Sequence, residues 1–285
     1  MAGDNNHNDV APACVTANVV ASADAGVSPV LLSLFIASEV DWNDFVRQVN
    51  SGNTFSGMVV QLTADISVSS MAGTDANRFK GVFDGAGHTL TFNSTATQNY
   101  AAPFRYVEGA TFTNLTVGGT IHASGRFAAG IVAHSLGNTS LTSCRSKVAI
   151  ESTHSGDCTH GGLVAQADSA GCHTAFADCL FDGSISGETS ENCGGLLGWP
   201  GAHTASFENC LNAGTFGTVK GEGGIFRGCG TFSRVFNAAN LAIDNCYYHI
   251  AYGTEQGTQT DEVGEALRAR LGDGWIVSGE DVTRG

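Results

Sequence analysis

One ten-residue segment recurs five times along the chain, and this recurrence constrains the fold more than any other feature. The copies begin at Phe112, Leu141, Phe176, Phe207 and Ile243, so that successive starts lie 29, 35, 31 and 36 residues apart. Recurrence at this length is typical of stacked supersecondary units, each of which buries its apolar side chains against the next. The sequence therefore predicts a solenoid.

Alignment of the five copies shows which positions point inward. The first position is large and apolar throughout, and alternate residues from the fourth position onward are mostly apolar, which is the period of a β-strand. The fourth position is occupied by Leu115, Cys144, Cys179, Cys210 and Cys246. Two inward positions three residues apart do not fit one side of a straight strand, so the chain must bend between them.

The third position is where we expect this bend. It is occupied by Asn114, Ser143, Asp178, Asn209 and Asn245. Asn and Asp tolerate left-handed backbone angles and hydrogen-bond to nearby backbone groups. The sequence therefore predicts an asparagine ladder at a corner of the solenoid.

A second, Gly-rich segment precedes the later copies. It is found as AAGIVAHS (128–135), HGGLVAQA (160–167), CGGLLGWP (193–200) and EGGIFRGC (222–229). Each repeat thus holds at least two short strands joined by turns, and about thirty residues fit one coil of a parallel β-helix. Equivalent residues of neighbouring coils are then about 4.8 Å apart.

These motifs resemble the GLUG-motif repeats of bacterial surface and secreted proteins. The resemblance is carried by the run 195–198 (GLLG), the NC-containing strands and the segment 82–92, VFDGAGHTLTF. The segments around Trp42 and 271–275 are similar to the flanks of such domains, whereas Ala133, Ala165 and Arg227 replace the last Gly of the motif. The resemblance implies a single-stranded right-handed parallel β-helix on or outside a bacterial cell. It carries over no catalytic residue.

An amphipathic helix is predicted before the repeats. In the segment 41–50, Trp42, Phe45, Val46 and Val49 have helical spacing, and Ser38 is a candidate N-cap. A β-helix must cover its open ends, because unpaired strand edges promote association with other chains. We therefore expect an N-terminal capping helix.

A second amphipathic helix is predicted after the repeats, over residues 261–271. Val263, Ala266, Leu267 and Leu271 should point inward, and Gly272 should end the helix as a C-terminal cap of the solenoid. The predicted organisation is an N-terminal extension at 1–37, with an irregular first strand at 30–36, the β-helix with its first cap at 38–259, and the second cap and tail at 260–285.

The charge and hydropathy pattern excludes several partners. Formal net charge is −14, and the 13 basic residues are scattered along the sequence, so nucleic acid and anionic membranes are poor partners. The apolar run at 29–36 is too short to span a membrane, and no basic residue precedes it, unlike in a signal peptide. We expect an extracellular or cell-surface protein whose signal peptide has been removed. Of its nine cysteines, four fall in the inward ladder position, where we expect reduced core side chains; disulfides between neighbouring rungs, such as Cys179 with Cys210, are the alternative.

Candidate catalytic residues come from the position just before the bend. Glu208 and Asp244 occupy it in successive repeats, and two stacked carboxylates could form an acid/base pair. The alternative is a solvated acidic edge, and no firm catalytic residue is assigned.

The sequence also contains residue types that bind metals, although they do not have a recognised metal-binding spacing. His154, Asp157, Cys158 and His160 lie within one turn, and Cys172 precedes His173. Cys158 and Cys193 both precede a Gly-Gly pair, which favours stacked core partners. We therefore predict no metal and no cofactor.

Trp199 is the candidate ligand-binding aromatic residue. It occupies the same repeat position as Gln166 and His134, so an exposed indole would form a flat platform with two hydrogen-bonding neighbours. The alternative is packing of Trp199 in its turn against Pro200.

Three functions remain open at this stage. The first is a non-catalytic extracellular module for adhesion or glycan binding, with a glycan or a host or cell-surface molecule as partner. The second is a polysaccharide-active enzyme, a glycosidase rather than a lyase, because a lyase needs a basic groove for its polyanionic substrate. The third is a passive spacer within a larger surface protein.

Overall fold

The computed structural model describes residues 33–154, 158–187, 192–217, 228–234 and 240–284. Over these ranges the chain has an all-β, parallel, solenoid-like fold with two helices. The Gly-rich segment at 222–229 and the extension at 1–37 lie largely outside the described residues, as does Asp157 of the considered metal ligands.

The elements are short. The helices are α1 (Glu39–Asn50) and α2 (Gly264–Leu271). The strands are β1 (Ser33–Ile36), β2 (Val59–Leu62), β3 (Ile66–Val68), β4 (Val82–Asp84), β5 (Thr89–Phe92), β6 (Ser94–Ala96), β7 (Phe104–Glu108), β8 (Thr111–Thr113), β9 (Thr116–Gly118), β10 (Thr120–Ala123), β11 (Phe127–Ala129), β12 (Val132–Leu136), β13 (Thr139–Thr142), β14 (Arg145–Ser146), β15 (Ala149–Ser152), β16 (Thr159–Gly161), β17 (Val164–Ala167), β18 (His173–Ala177), β19 (Leu180–Phe181), β20 (Ser184–Gly187), β21 (Leu197–Trp199), β22 (Thr204–Glu208), β23 (Leu211–Asn212), β24 (Thr215–Phe216), β25 (Leu241–Asp244), β26 (Tyr247–Tyr248), β27 (Thr258–Gln259), β28 (Trp275–Ser278) and β29 (Asp281–Arg284).

In the part of the chain that the structure describes, five parallel sheets run along the solenoid. Each sheet is built from equivalent strands of successive coils. Sheet 1 has the order β1-β2-β4-β8-β13-β18-β22-β25, sheet 2 β3-β5-β9-β14-β19-β23-β26-β27, sheet 3 β6-β10-β15-β20-β24, sheet 4 β7-β12-β17-β21 and sheet 5 β11-β16. The five aligned segments pair in the predicted register: Phe112 with Leu141, Leu141 with Phe176, Phe176 with Phe207, and Phe207 with Ile243.

The predicted corner is present at the third position of each segment. The φ angles of Asn114, Ser143, Asp178, Asn209 and Asn245 are 50°, 54°, 55°, 50° and 46°. All five residues are therefore left-handed, which turns the chain from sheet 1 into sheet 2. Asn245 also donates from Nδ2 to Oδ1 of Asn209 over 2.7 Å, a hydrogen bond between rungs of the ladder.

Seven of the eight described cysteines lie in two buried columns. Cys144, Cys179, Cys210 and Cys246 directly precede paired residues of sheet 2, and all four are free and buried. Burial raises the pKa of the Cys144 thiol well above its usual range. A second buried set consists of Cys158, Cys193 and Cys229. Its members are connected by hydrogen bonds, such as that from the Cys193 backbone N–H to Cys229 Sγ at 3.1 Å. These thiols act as small core side chains, as predicted.

Helix α1 packs onto an aromatic core. Its predicted inward residues Trp42, Phe45, Val46 and Val49 are all buried, and the Ser38 side chain accepts a hydrogen bond from the Asp41 backbone N–H. Phe45 contacts four rings from the coils around it as well as Trp42.

Helix α2 lies on a side of the solenoid, which differs from the expected position at its end. Leu267 and Leu271 pack with Leu180 and Leu211, which belong to different coils of sheet 2, and with Trp275 of the antiparallel β28–β29 hairpin. The prediction that Val263 and Ala266 point inward is wrong, because both are exposed. Outward leucines of sheet 2 provide the apolar surface on which this helix docks.

Among the described residues, neither helix is long and apolar enough to cross a membrane.

Candidate ligand-binding face

The predicted alignment of His134, Gln166 and Trp199 is found on sheet 4. His134 pairs with Gln166, Gln166 pairs with Trp199, and Tyr106 extends the same column by one coil. The three candidate residues therefore occupy successive rungs, about 4.8 Å apart along the axis.

Tyr100 covers part of this column, which the sequence does not indicate. Its ring stacks on His134, with centroids 4.7 Å apart and planes at 7°, and on Phe127, at 4.9 Å and 6°. Its hydroxyl donates to Gln166 Oε1 over 2.7 Å, and burial raises the pKa of Tyr100 to about 12. We call the four residues Tyr100, His134, Gln166 and Trp199 the aromatic strip.

His134 contributes a ring surface rather than the expected hydrogen bonds. Both ring nitrogens are buried and have no hydrogen-bond partner among the described residues. Burial lowers the pKa of His134 from its usual value, because the charged imidazolium loses hydration. The imidazole is therefore mainly neutral at pH 7.

Gln166 connects the Tyr100 ring to a surface carboxylate. Its side chain is 8% exposed, accepts from Tyr100 and donates from Nε2 to Asp168 Oδ2 over 3.0 Å. Asp168 is exposed, so this amide connects the aromatic residues to a carboxylate at the surface.

Trp199 is half-buried. It packs against a small apolar cluster of Phe127, Ala129 and Ala165 that is separate from the main core. The Arg234 guanidinium lies over its ring, with Cζ 4.5 Å from the centroid, and Nη1 of Arg234 donates to Thr159 Oγ1. The remaining indole surface is accessible on the side of the solenoid.

Arginines gather on this side although they are scattered in the sequence. Arg105 lies over Tyr106 at 5.4 Å, and Arg126 lies over Phe127 at 5.1 Å. Such pairs are stabilised by attraction between the cation and the ring quadrupole. The signal visible in the sequence is an Arg next to an aromatic residue, at 105–106 and 126–127, in two successive coils.

Glu208 and Asp244 lie on another side, in sheet 1. They are directly paired, so the predicted stacking of these carboxylates is found, and both side chains are exposed. Their backbones are one rung apart, about 4.8 Å. They stand on an open sheet surface.

Cys158 and His160 resemble a catalytic pair but are arranged as a structural one. The Ala128 backbone N–H donates to His160 Nδ1 over 2.9 Å, so the neutral ring carries its proton on Nε2, which lies 2.8 Å from Cys158 Sγ. The Cys193 thiol and burial raise the pKa of Cys158 to about 12. A thiol held protonated beside a ring that donates to it is a poor nucleophile. Within the described ranges no three His, Cys, Asp or Glu side chains form a metal-binding group.

His173 forms a more open network on sheet 1. The Thr204 hydroxyl donates to the Cys172 carbonyl, so its oxygen accepts from His173 Nδ1 at 2.8 Å. In the neutral ring Nε2 then accepts from the Ser206 hydroxyl at 2.8 Å. Ser206, His173 and Thr204 thus have the order of a nucleophile, a base and a group that orients the base.

No protein-family model matches the chain, and no curated protein matches it. Among solved structures, the chain is similar to the crystal structure of a putative immunoglobulin A1 protease from Bacteroides ovatus. The TM-score is 0.58 at 16% identity, over 89% of this chain and 92% of that chain. This likeness extends over nearly the whole of both chains and shows a shared fold.

Proposed function

We propose that the protein is an extracellular, non-catalytic adhesion or glycan-binding module whose ligand lies along the aromatic strip. One observation carries this proposal: the Tyr100 hydroxyl donates to the Gln166 amide, and Gln166 pairs with Trp199 of the next coil, so that two partly exposed rings lie on one side of the solenoid. Rings that offer flat contact area, combined with a few planar polar groups, are suited to sugar rings that carry hydroxyls on their edges.

The neighbouring charged groups extend this surface. Asp168 accepts from Gln166, and Arg105 and Arg234 lie over rings at either end. Carboxylates accept and guanidinium groups donate, so both kinds of hydrogen bond to sugar hydroxyls are provided. The ligand contacts then form a shallow lateral surface rather than a closed pocket.

The finer features of the fold belong to the same proposal. On the resemblance to GLUG-motif repeats, the solenoid is right-handed and is secreted or displayed by a bacterium. The packing of α1 on the aromatic core supports its role as a cap of the first coil. The fold shared with a bacterial protein is consistent with this localisation.

Trp199→Ala tests the strip. Loss of the indole should weaken binding of a glycan identified on an array by about 1–3 kcal/mol, the range for aromatic stacking on planar ligands. The melting temperature should change little, because the residue lies outside the main core. Isothermal titration calorimetry and thermal unfolding measure the two effects.

Phe35→Ala is the matched control, because Phe35 is also aromatic and partly exposed but lies on β1 of sheet 1. It should leave glycan binding unchanged. Intact binding by Trp199→Ala together with a melting point lowered by several degrees would assign Trp199 to packing alone and contradict the proposal.

The second candidate function is hydrolysis, and the Ser206–His173–Thr204 network favours it. The structural neighbour is described as a putative protease, which makes an acyl-transfer test worthwhile. In such a reaction Ser206 Oγ attacks an ester carbonyl, its proton passes to His173 Nε2, and the imidazolium then protonates the leaving alcohol. Water releases the acyl group in a second step.

Ser206→Ala should abolish any turnover of p-nitrophenyl acetate above that of an equal concentration of imidazole. Glu208→Gln, assayed by release of reducing sugar from array-positive glycans, tests the glycosidase alternative. If the wild-type protein is inactive in both assays, the two enzyme candidates are wrong.

A further inference from the structure

A cavity lies between sheet 2 and the C-terminal unit, which consists of α2 and the β28–β29 hairpin. Its volume is about 400 Å³, which is within the usual range for small-ligand pockets. It is formed where α2 and the β28–β29 hairpin cross the outward side of the coils. We call it the C-terminal pocket.

The pocket has an apolar lining from both of its walls. Leu211 and Ala213 come from the coils, and Val263, Leu267 and Val282 come from the C-terminal unit. Val263 is 45% exposed, which is unusual for a Val beside a buried helix face. Its position on the pocket wall accounts for that exposure and gives a ligand apolar surface to cover.

Arg145 is the basic residue of the lining that has an ion-pair partner, so its positive charge is neutralised. Arg145 makes a two-pronged ion pair with Asp182, from Nε and Nη2, and its Nη1 donates to Thr283. This arrangement ties the hairpin to the coils, and it leaves little net charge on this wall.

The other polar groups in the lining are hydrogen-bond acceptors. His249 Nδ1 lies 3.0 Å from the Thr260 carbonyl, which only accepts, so the neutral ring has Nε2 left as an acceptor. Glu280 and Asp281 also line the pocket; both side chains are exposed, and neither has an ion-pair partner among the described residues. The lining therefore favours a ligand with hydrogen-bond donors and a positive charge.

We propose that the C-terminal pocket binds the basic side chain of a peptide, with lysine as the best fit. The apolar lining covers a (CH₂)₄ stem, and the ammonium group, with three donors and no acceptor, meets Glu280, Asp281 and His249 Nε2. This is a site distinct from the aromatic strip, and it does not depend on glycan binding.

Two probes that differ only in charge test the site. N-acetyl-lysine methylamide carries the ammonium, and N-acetyl-norleucine methylamide has the same backbone and a neutral apolar side chain. Titration followed by ¹H–¹³C NMR of the Ala213 methyl group and the His249 ring should show the lysine probe binding with Kd on the order of 1 mM. The norleucine probe should bind at least about tenfold more weakly.

The variant Glu280→Gln/Asp281→Asn removes the unpaired charges while keeping their shape. It should weaken binding of the lysine probe about tenfold, as expected for two partly solvated ion pairs. The control Glu265→Gln/Asp273→Asn removes two charges from the same C-terminal unit, at residues that do not line the pocket, and should bind like the wild type.

Thermal unfolding of both double variants shows whether the hairpin stays folded. The proposal is overturned if the wild type shows no binding at about 10 mM lysine probe, well above the expected Kd. It is also overturned if the norleucine probe binds equally well, or if the two double variants bind the lysine probe alike.

Discussion

The coils nearest α1 and the coils that carry the cysteine columns are filled by different kinds of contact. Around α1, Phe45 meets Phe79 at 5.5 Å and 80°, and Trp42 meets Phe104 at 5.5 Å and 88°, so ring edges point at ring faces. In the later coils Phe176 and Phe207 stack at 4.8 Å and 8°.

The two ring geometries differ because the side chains come from different kinds of element. Like residues in successive coils are one rung apart, which imposes parallel stacking on Phe176 and Phe207. Helix α1 brings its rings in from outside the strand register, so they can take the edge-to-face geometry that aromatic pairs prefer. The first region is thus an interlocked core, and the second is a set of ladders whose rungs contact only their neighbours.

Phe45→Ala should produce the largest effect. Phe45 is completely buried and contacts five aromatic rings, so its removal leaves a cavity that the rigid surroundings cannot close. We expect a loss of about 5 kcal/mol in the free energy of unfolding, at the upper end for Phe→Ala. Urea denaturation measures it, and a loss below about 2 kcal/mol would show that the α1 core is not interlocked.

Phe207→Ala should cost less, about 3 kcal/mol. The ring contacts Phe176 in the coil before and Phe232 at 5.7 Å, and small neighbours such as Cys210 leave the column freer to settle. The same denaturation experiment applies. A loss equal to that of Phe45→Ala would remove the distinction between ladder and core.

Asn209→Ala should have the smallest effect of the three, about 1–2 kcal/mol. Alanine must adopt the left-handed φ of 50° at the corner, and the side-chain bond from Asn245 is lost. Asn209→Gly loses the same bond but adopts this φ without strain, so it should be the more stable variant. If the two variants have equal unfolding free energies, backbone strain plays no part in the choice of residue here.

The sequence predicts the ladders because they depend on local and periodic information. Asn209 and Cys210 sit side by side in one segment, and each copy of that segment repeats the same requirement for a bend followed by a small inward residue. The same argument finds the column of His134, Gln166 and Trp199 from the Gly-rich segments.

The parts that sequence analysis misses depend on contacts between distant segments. Tyr100 directly precedes Ala101, which pairs with Ala128 of the next coil, but the sequence there is too degenerate to show that the Tyr100 side chain reaches His134 and Gln166. The lateral position of α2 depends on Leu180 and Leu211, outward leucines directly after two cysteines of the ladder. Those leucines were the available signal, since apolar residues on the solvent side of a strand indicate a surface that something covers.

The unequal spacing of the repeats indicates where insertions and deletions can be accepted during evolution. Successive segments begin between 29 and 36 residues apart, yet they pair residue for residue in sheet 1. The segments between the paired strands therefore take up the whole difference in length. An insertion of any size in a turn leaves the register untouched, whereas one extra residue inside a strand would reverse every side chain after it. Insertions and deletions in turns can thus change the surface of the molecule, while the packing of the buried core is kept.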